Sequence, residues 1–197
     1  MPVAYVLVIN HTVRRFGGDA HPLSVLRMSE KTGALARLAL HSVRHIWNSD
    51  CQDTEPFVRR AARAAGIPES FAVSVAKAES GFRSHSISST GAMGVMQLMP
   101  RTAWSYGVMD PFDPEDNAGG GTRYLAALWQ RYRGDRMRVA AAYNAGERGV
   151  PRKGAMRVPS STLSYAAHVT HLAKRETGRV AAVDCLTSPL VITASTR

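Results

Sequence analysis

Residues 78–103 read AESGFRSHSISSTGAMGVMQLMPRTA, and this stretch restricts the fold more than any other. It opens with a carboxylate, Glu79, in the last turn of a helical pattern. It continues through a Ser/Gly-rich loop into an apolar run that carries one amide, Gln97, and meets Pro100. Gly91 and Gly94 bracket a tight passage, as glycine does where backbone turns sharply or approaches another group closely. A loop of this kind needs a scaffold on both sides, and Glu79 stands alone in it: the next acid is Asp110.

The flanking sequence supplies helices. Asp53 or Thr54 is placed to cap a helix carrying Phe57, Val58, Ala61, Ala62 and Ala65, ending at Gly66. A Pro turn leads into a second helix over 69–80, with Phe71, Val75 and Ala78 on its inner face and Val73 and Ala76 beside them. Pro100 suits the first turn of a short helix to Tyr106. DPFDPEDN is a turn and cap cluster before a helix over 117–132, another follows over 135–142, and a last one runs over 161–175. Strand signals are weak and no repeat is present. The pattern predicts a mainly α, single compact domain over 53–177. Residues 1–52 are expected to form an N-terminal extension, a leader or loosely ordered, with one helix over 34–46, and 178–197 a C-terminal tail.

A chain of 197 residues with 45% hydrophobic content is long enough for one real core. Its formal charge of +10 favours polyanionic partners. The arginines are scattered rather than set in a nucleic-acid motif, which argues against specific nucleic-acid binding. No run is long enough to span a bilayer. The apolar opening 3–9 precedes Arg14 and Arg15, the reverse of a secretory signal, so no export route is evident. Cys51 and Cys185 flank the motif-bearing segment. They form either a single clasp, stabilising by up to about 4–5 kcal/mol in the chain-entropy picture, or two unpaired thiols. His41 with His45, and His168 with His171, have helical spacing that suits a metal but lack a third ligand, so solvated faces are the better reading and no metal is expected.

Spacing alone leaves Glu79 two readings. It is either a surface acid at a helix end, or a general acid whose pKa is raised by the negative end of the helix dipole and by Met93, Val95, Met96, Leu98 and Met99. The same residues resemble something more specific. ESGFRSHSISSTGAMGVMQLMPRTA, then FDPEDNAGGGTRYL, then AAYNAG, look like the catalytic domain of the soluble lytic transglycosylases. Those enzymes cleave peptidoglycan and have a fold similar to goose-type lysozyme. The resemblance covers about 56–174.

It implies an α+β lysozyme-like domain with a deep cleft, and a site carried over residue by residue. Glu79 matches the family's single catalytic glutamate, in a block with Ser80 and Phe82. Ser88 matches a serine that positions the N-acetyl group of the muramoyl sugar, and Gln97 and Met99 match cleft-lining positions. Tyr143 and Asn144 fall in the A-Y-N-A-G block, whose tyrosine approaches the glutamate, and Tyr165 matches a later tyrosine. His85-Ser86, Ala118 and Ser161 depart from the family's usual residues, which bears on subsite detail rather than on the acid.

Most glycosidases use two carboxylates. Here Asp110, Asp113, Glu115 and Asp116 lie in a cap cluster, so a lone acid must obtain its nucleophile from the substrate. The resemblance implies that Glu79 protonates the β-1,4 oxygen between N-acetylmuramic acid and N-acetylglucosamine, with help from the muramoyl N-acetyl group. Glu79 then deprotonates the 6-hydroxyl, closing a 1,6-anhydro ring, with neither metal nor organic cofactor. Two rivals remain: a hydrolytic muramidase using one of the acids at 110–116, and a non-catalytic wall-binding part of a secretion or conjugation apparatus. The implied setting is the periplasm or cell envelope, the implied partner peptidoglycan glycan strands, and the expected state a monomer.

Overall fold

The structure, a computed structural model, describes Thr12 and residues 28–44 and 53–178. Seven helices carry these residues: α1 (Met28–Arg44), α2 (Glu55–Ala64), α3 (Glu69–Ser80), α4 (Pro100–Ser105), α5 (Pro114–Arg131), α6 (Arg136–Ala145) and α7 (Ser160–Gly178). A 3-10 turn, Glu147–Gly149, follows α6. Cys51, Cys185 and His45 lie outside the described residues, as does the side chain of His41.

The central helix is α3. Phe71, Ala72, Val73, Ser74, Val75, Ala76 and Ser80 are all buried, so the helix is covered nearly all round rather than on one inner face. Its alanines and serines let neighbours approach, and α2 packs on one side and α7 on another. Phe71 meets Trp129 of α5 edge-on, with ring centroids 5.2 Å apart. The small residues Ala140, Ala141 and Ala142 of α6 join the same core, and α6 packs mainly against α7 and then α5. Gly81 ends α3 in the left-handed region at φ 61°, its N–H bonded to Lys77 O.

Helix starts follow local chemistry. Asp113 caps α5 by accepting from Asp116 N, and Asp135 caps α6 by accepting from Arg138 N. At α2 the expected caps divide their work. Asp53 Oδ1 accepts from Glu55 N at 3.1 Å, while the Thr54 hydroxyl donates to Phe82 O at 2.7 Å. Thr54 thereby ties the start of α2 to the chain just past α3.

Between α3 and α4 no strand forms; isolated bridges join Ile87 to Met93 and Met93 to Leu98. Met93 N and Leu98 N each donate to the other's carbonyl at 3.0 Å, and Gly94 N donates to Ser86 O at 2.9 Å. This folded loop is locked to α5 by one side chain, Asn117. Its Oδ1 accepts from Met96 N at 2.8 Å, and its Nδ2 donates to Met93 O at 3.1 Å and Pro111 O at 2.9 Å. Only glycine fits at 94: its φ is 77°, and a Cβ there would lie 2.1 Å from Pro111 O and 2.3 Å from Asn117 Nδ2.

α1 begins earlier than the sequence pattern placed it, at Met28 rather than Ala34, and ends at Arg44. Ala34 and Leu38 are buried in a second small cluster with Ile87, Met93 and Phe112. The helix thus packs against the loop that follows α3 and against Phe112.

Candidate active site

Glu79 sits in the last turn of α3, one residue before Ser80. The Ser80 hydroxyl donates to Val95 O at 2.7 Å and accepts from Arg83 N at 3.1 Å, tying the helix end to the loop. Tyr165, on α7, donates its hydroxyl to Glu79 Oε1 at 2.5 Å. Burial raises the carboxyl's pKa from 4.5 to about 7, and the Tyr165 hydrogen bond opposes part of that rise by favouring the anion. Desolvation is the leading cause where the sequence pointed to the helix end as well as an apolar setting. A carboxyl poised near 7 can both give and take a proton at neutral pH.

The second tyrosine has a different task. Tyr143, on α6, is buried and donates to Met96 O at 2.8 Å. The resemblance implies that Tyr143 approaches the glutamate; Tyr143 lies within the field of the Glu79 charge, and the hydroxyl bonded to Glu79 is Tyr165's. Both phenols are held well above their usual pKa, first by burial and next by the Glu79 charge, so both lie within its field. Tyr143 heads an aromatic row: Tyr124 lies 5.2 Å from it and Tyr106 a further 5.2 Å on, centroid to centroid.

Ser88 Oγ lies 3.0 Å from Thr90 Oγ1 and accepts from Ala92 N at 2.9 Å. Thr90 in turn reaches Met99 Sδ at 3.9 Å, which groups Ser88 and Met99 on one part of the loop. Gln97, at φ 48°, turns its Nε2 to Ser86 O at 3.0 Å and Gly94 O at 2.8 Å. Its amide nitrogen therefore holds the loop together. Asn144 is exposed and accepts from Thr162 Oγ1 at 3.1 Å, joining the end of α6 to the start of α7.

The acids at 110–116 are occupied. Asp116 Oδ2 accepts from both Met109 N and Asp110 N at 2.7 Å, Asp113 caps Asp116, and Asp110 Oδ1 accepts from Phe112 N. Glu115 lies 3.3 Å from Arg60. Among the described residues no group of three metal-capable side chains converges.

The sequence marks Asn117 only as a helix start and gives no sign of the fixing role of Ser80. A signal for the first was present in AGGG: three glycines inside a helix imply close approach by another part of the chain. A Cβ on Gly120 would lie 2.0 Å from Val108 Cγ2, and one on Gly121 2.5 Å from Met96 Sδ.

The family described as "Transglycosylase SLT domain" matches residues 56–161, more than half of the chain. The chain belongs to the SLT transglycosylase domain family. This SLT domain is 34% identical over 115 residues to membrane-bound lytic murein transglycosylase C of Serratia proteamaculans (strain 568), covering 49% of the chain and 32% of that protein. It is 37% identical over 98 residues to the soluble lytic murein transglycosylase of Escherichia coli (strain K12), covering 45% of the chain and 15% of that protein. The chain thus spans about a third or less of these curated relatives. Among solved structures, the 70 kDa soluble lytic transglycosylase of Escherichia coli matches with TM-score 0.52 and 31% identity over 60% of the chain and 23% of that structure. An inactive mutant of the lytic transglycosylase Slt of Pseudomonas aeruginosa matches with TM-score 0.56 and 24% identity, covering 62% of the chain and 24% of that structure, and supports the fold.

Proposed function

We propose that this SLT domain is a peptidoglycan lytic transglycosylase. It cleaves the β-1,4 bond between N-acetylmuramic acid and N-acetylglucosamine and leaves a 1,6-anhydromuramoyl end, with Glu79 serving as acid and then base. The observation that carries this reading is the Glu79 carboxyl, desolvated to a pKa of about 7 and bonded to the Tyr165 hydroxyl, in a chain of this family.

In its protonated form Glu79 donates to the glycosidic oxygen as the bond breaks, and the muramoyl N-acetyl group supports the developing charge at the anomeric carbon. The resulting carboxylate is steadied by the Tyr165 O–H, and then accepts the proton of the muramoyl 6-hydroxyl as that oxygen closes the ring. No water is consumed, and the carboxyl ends the cycle protonated. Ser88 positions the N-acetyl group, Gln97 and Met99 shape the loop side of the site, and Tyr143, Asn144 and Tyr165 shape the helix side. The carboxylates at 110–116 are engaged with backbone N–H groups or with Arg60, which favours the single-acid route over a hydrolytic muramidase. The names of the relatives, lytic murein transglycosylases, support peptidoglycan glycan strands as substrate and the periplasm or cell envelope as the place of action. Within that setting the domain acts as a monomer, either in wall turnover or in local opening of the wall for a secretion or conjugation apparatus.

The test is clearance of purified peptidoglycan by the wild type and Glu79→Gln. Loss of a positioned general acid lowers the rate by about 10²–10⁴-fold. An undiminished rate in the variant contradicts the assignment and favours a wall-binding role.

A further inference from the structure

Helix α1 precedes the residues 56–161 that match the family, yet it packs against the part of the molecule that carries Ser88 and Gln97. Lys31, Ala34 and Leu38 are buried and recur at helical spacing, so they share one face, while Ala36, Arg37, Ala39 and Leu40 are exposed. Ala34 and Leu38 form a cluster with Ile87, Met93 and Phe112, and the half-buried Leu35 packs at its edge. This cluster is separate from the larger core around α3. Within it, the apolar cover that Ile87 and Met93 meet comes from α1 and from Phe112.

Ile87 and Met93 are the seats of the loop. Ile87 lies between Ser86 and Ser88. Ser86 O accepts from Gly94 N at 2.9 Å and from Gln97 Nε2 at 3.0 Å, and Ser88 N donates to Ala92 O at 2.9 Å. The Met93 backbone bridges to both Ile87 and Leu98, and Asn117 holds its carbonyl from the α5 side. Successive side chains of extended backbone point to opposite faces, so seating Ile87 inward turns Ser88 outward. Ile87 and Met93 are accordingly buried, while Ser88 and Gln97 are only half-buried. Glu79 has other supports: Tyr165 bonds its carboxyl, and Ser80 fixes the helix end beside it.

We propose that α1 is a working part of the site: acting through Ile87 and Met93, the positioning residues Leu38 and Ala34 hold Ser88 and Gln97 in place for the glycan. The inference rests on the peptidoglycan reading given above. Its physical basis is close packing. A side chain lost from a buried cluster leaves a cavity that the neighbours fill only in part by shifting, and the neighbours here are the two side chains that seat the loop. The consequence falls on substrate placement and not on the proton affinity of Glu79, which other elements set.

The experiment uses the full chain. Leu38→Ala is expected to lower kcat/KM on purified peptidoglycan about tenfold at a temperature well below its unfolding midpoint. The alkaline limb of its pH–rate profile stays in place. Leu38→Met, which conserves volume, restores the rate to within about twofold. In a Ser88→Ala background Leu38→Ala costs no more than about twofold, because residues that act through one another are non-additive. The amides of Ser88, Met93, Gly94 and Leu98, which are bonded within the loop, exchange hydrogen about tenfold faster, while those of α7 keep their protection. Ala34→Leu overfills the same contact and gives the same loss and the same exchange pattern, which keeps the test decisive should Leu38→Ala not fold. Val58→Ala, a truncation in the larger core, leaves kcat/KM and the loop amides as in wild type.

Full activity in folded Leu38→Ala and Ala34→Leu overturns the inference. So does an equal fall in Val58→Ala, a cost of Leu38→Ala that persists in full without the Ser88 hydroxyl, or an alkaline limb that moves with Leu38→Ala. Product masses from the wild type are read separately. A wild type that releases no fragments removes the enzyme reading, and hydrogen exchange then decides alone: quickened loop amides keep the role of α1, and protected ones overturn it.

Discussion

At the residue scale Glu79 meets the hydroxyl of Tyr165. Burial lifts the carboxyl's pKa from 4.5 to about 7, so the folded state holds a proton that the unfolded chain has already released between those values. Stability therefore falls as pH rises through that window, and is unaffected by this group below it. At about 1.4 kcal/mol per unit the penalty at pH 8 is on the order of 3 kcal/mol. Denaturant titrations of wild type and Glu79→Gln should accordingly coincide near pH 4 and separate toward pH 8, with the variant the more stable. Activity has a matching dependence: kcat/KM should decline above about pH 7 as the acid loses its proton. Tyr165→Phe removes the hydrogen bond that favours the anion. It should lower the rate and move the alkaline limb of the pH–rate profile to higher pH; a limb that stays in place would show that Tyr165 does not tune the acid. The lone acid was legible from its isolation between residue 79 and Asp110. Which tyrosine bonds it was not, because Tyr143 and Tyr165 come from different helices and only their packing against α3 decides which hydroxyl reaches Oε1.

At the element scale the loop after α3 is braced by hydrogen bonds from α3 and α5. Its shape comes from Asn117, whose three bonds reach Met96 N, Met93 O and Pro111 O, and from Ser80, which fixes Val95. Asn117→Ala leaves three buried backbone groups without that partner and should cost about 3 kcal/mol, measured by chemical denaturation. The same change loosens Met96, whose carbonyl receives Tyr143. It should therefore lower kcat even at temperatures where the variant remains folded. A variant as stable and as active as wild type would remove Asn117 from its supporting role. Helix positions over 69–80 and the Pro start at 100 were readable from caps and periodicity, whereas α5 begins at Pro114, three residues before the expected start at 117, because Asp113 rather than a later residue of the cluster caps it. The all-round burial of α3 was not readable, since the surroundings that cover its alanines and serines come from segments distant in sequence. The loop's bridges were hidden for the same reason: at 86–98 the chain lacks strand alternation, and its pairing follows from Asn117, more than eighteen residues on.

At the scale of the molecule, a helical core of small side chains brings α3, α6 and α7 close enough for Glu79, Tyr143 and Tyr165 to share one site. A basic segment, residues 146–159, bridges the two helices that supply the tyrosines. The three sequence blocks that carried the resemblance map onto this arrangement: the end of α3 with its loop, the start of α5, and the end of α6. The contribution of α1 was less readable, because Ala34 and Leu38 find their partners Ile87, Met93 and Phe112 in the loop and beyond it. The central claim, that one carboxyl cleaves without water as reactant, is tested most directly by digesting purified peptidoglycan in heavy-oxygen water and weighing the products. Muramoyl ends lighter than the hydrolytic product by one water and free of the heavy isotope are expected, absent from the Glu79→Gln digest. Isotope-labelled reducing ends in the wild-type digest would contradict it.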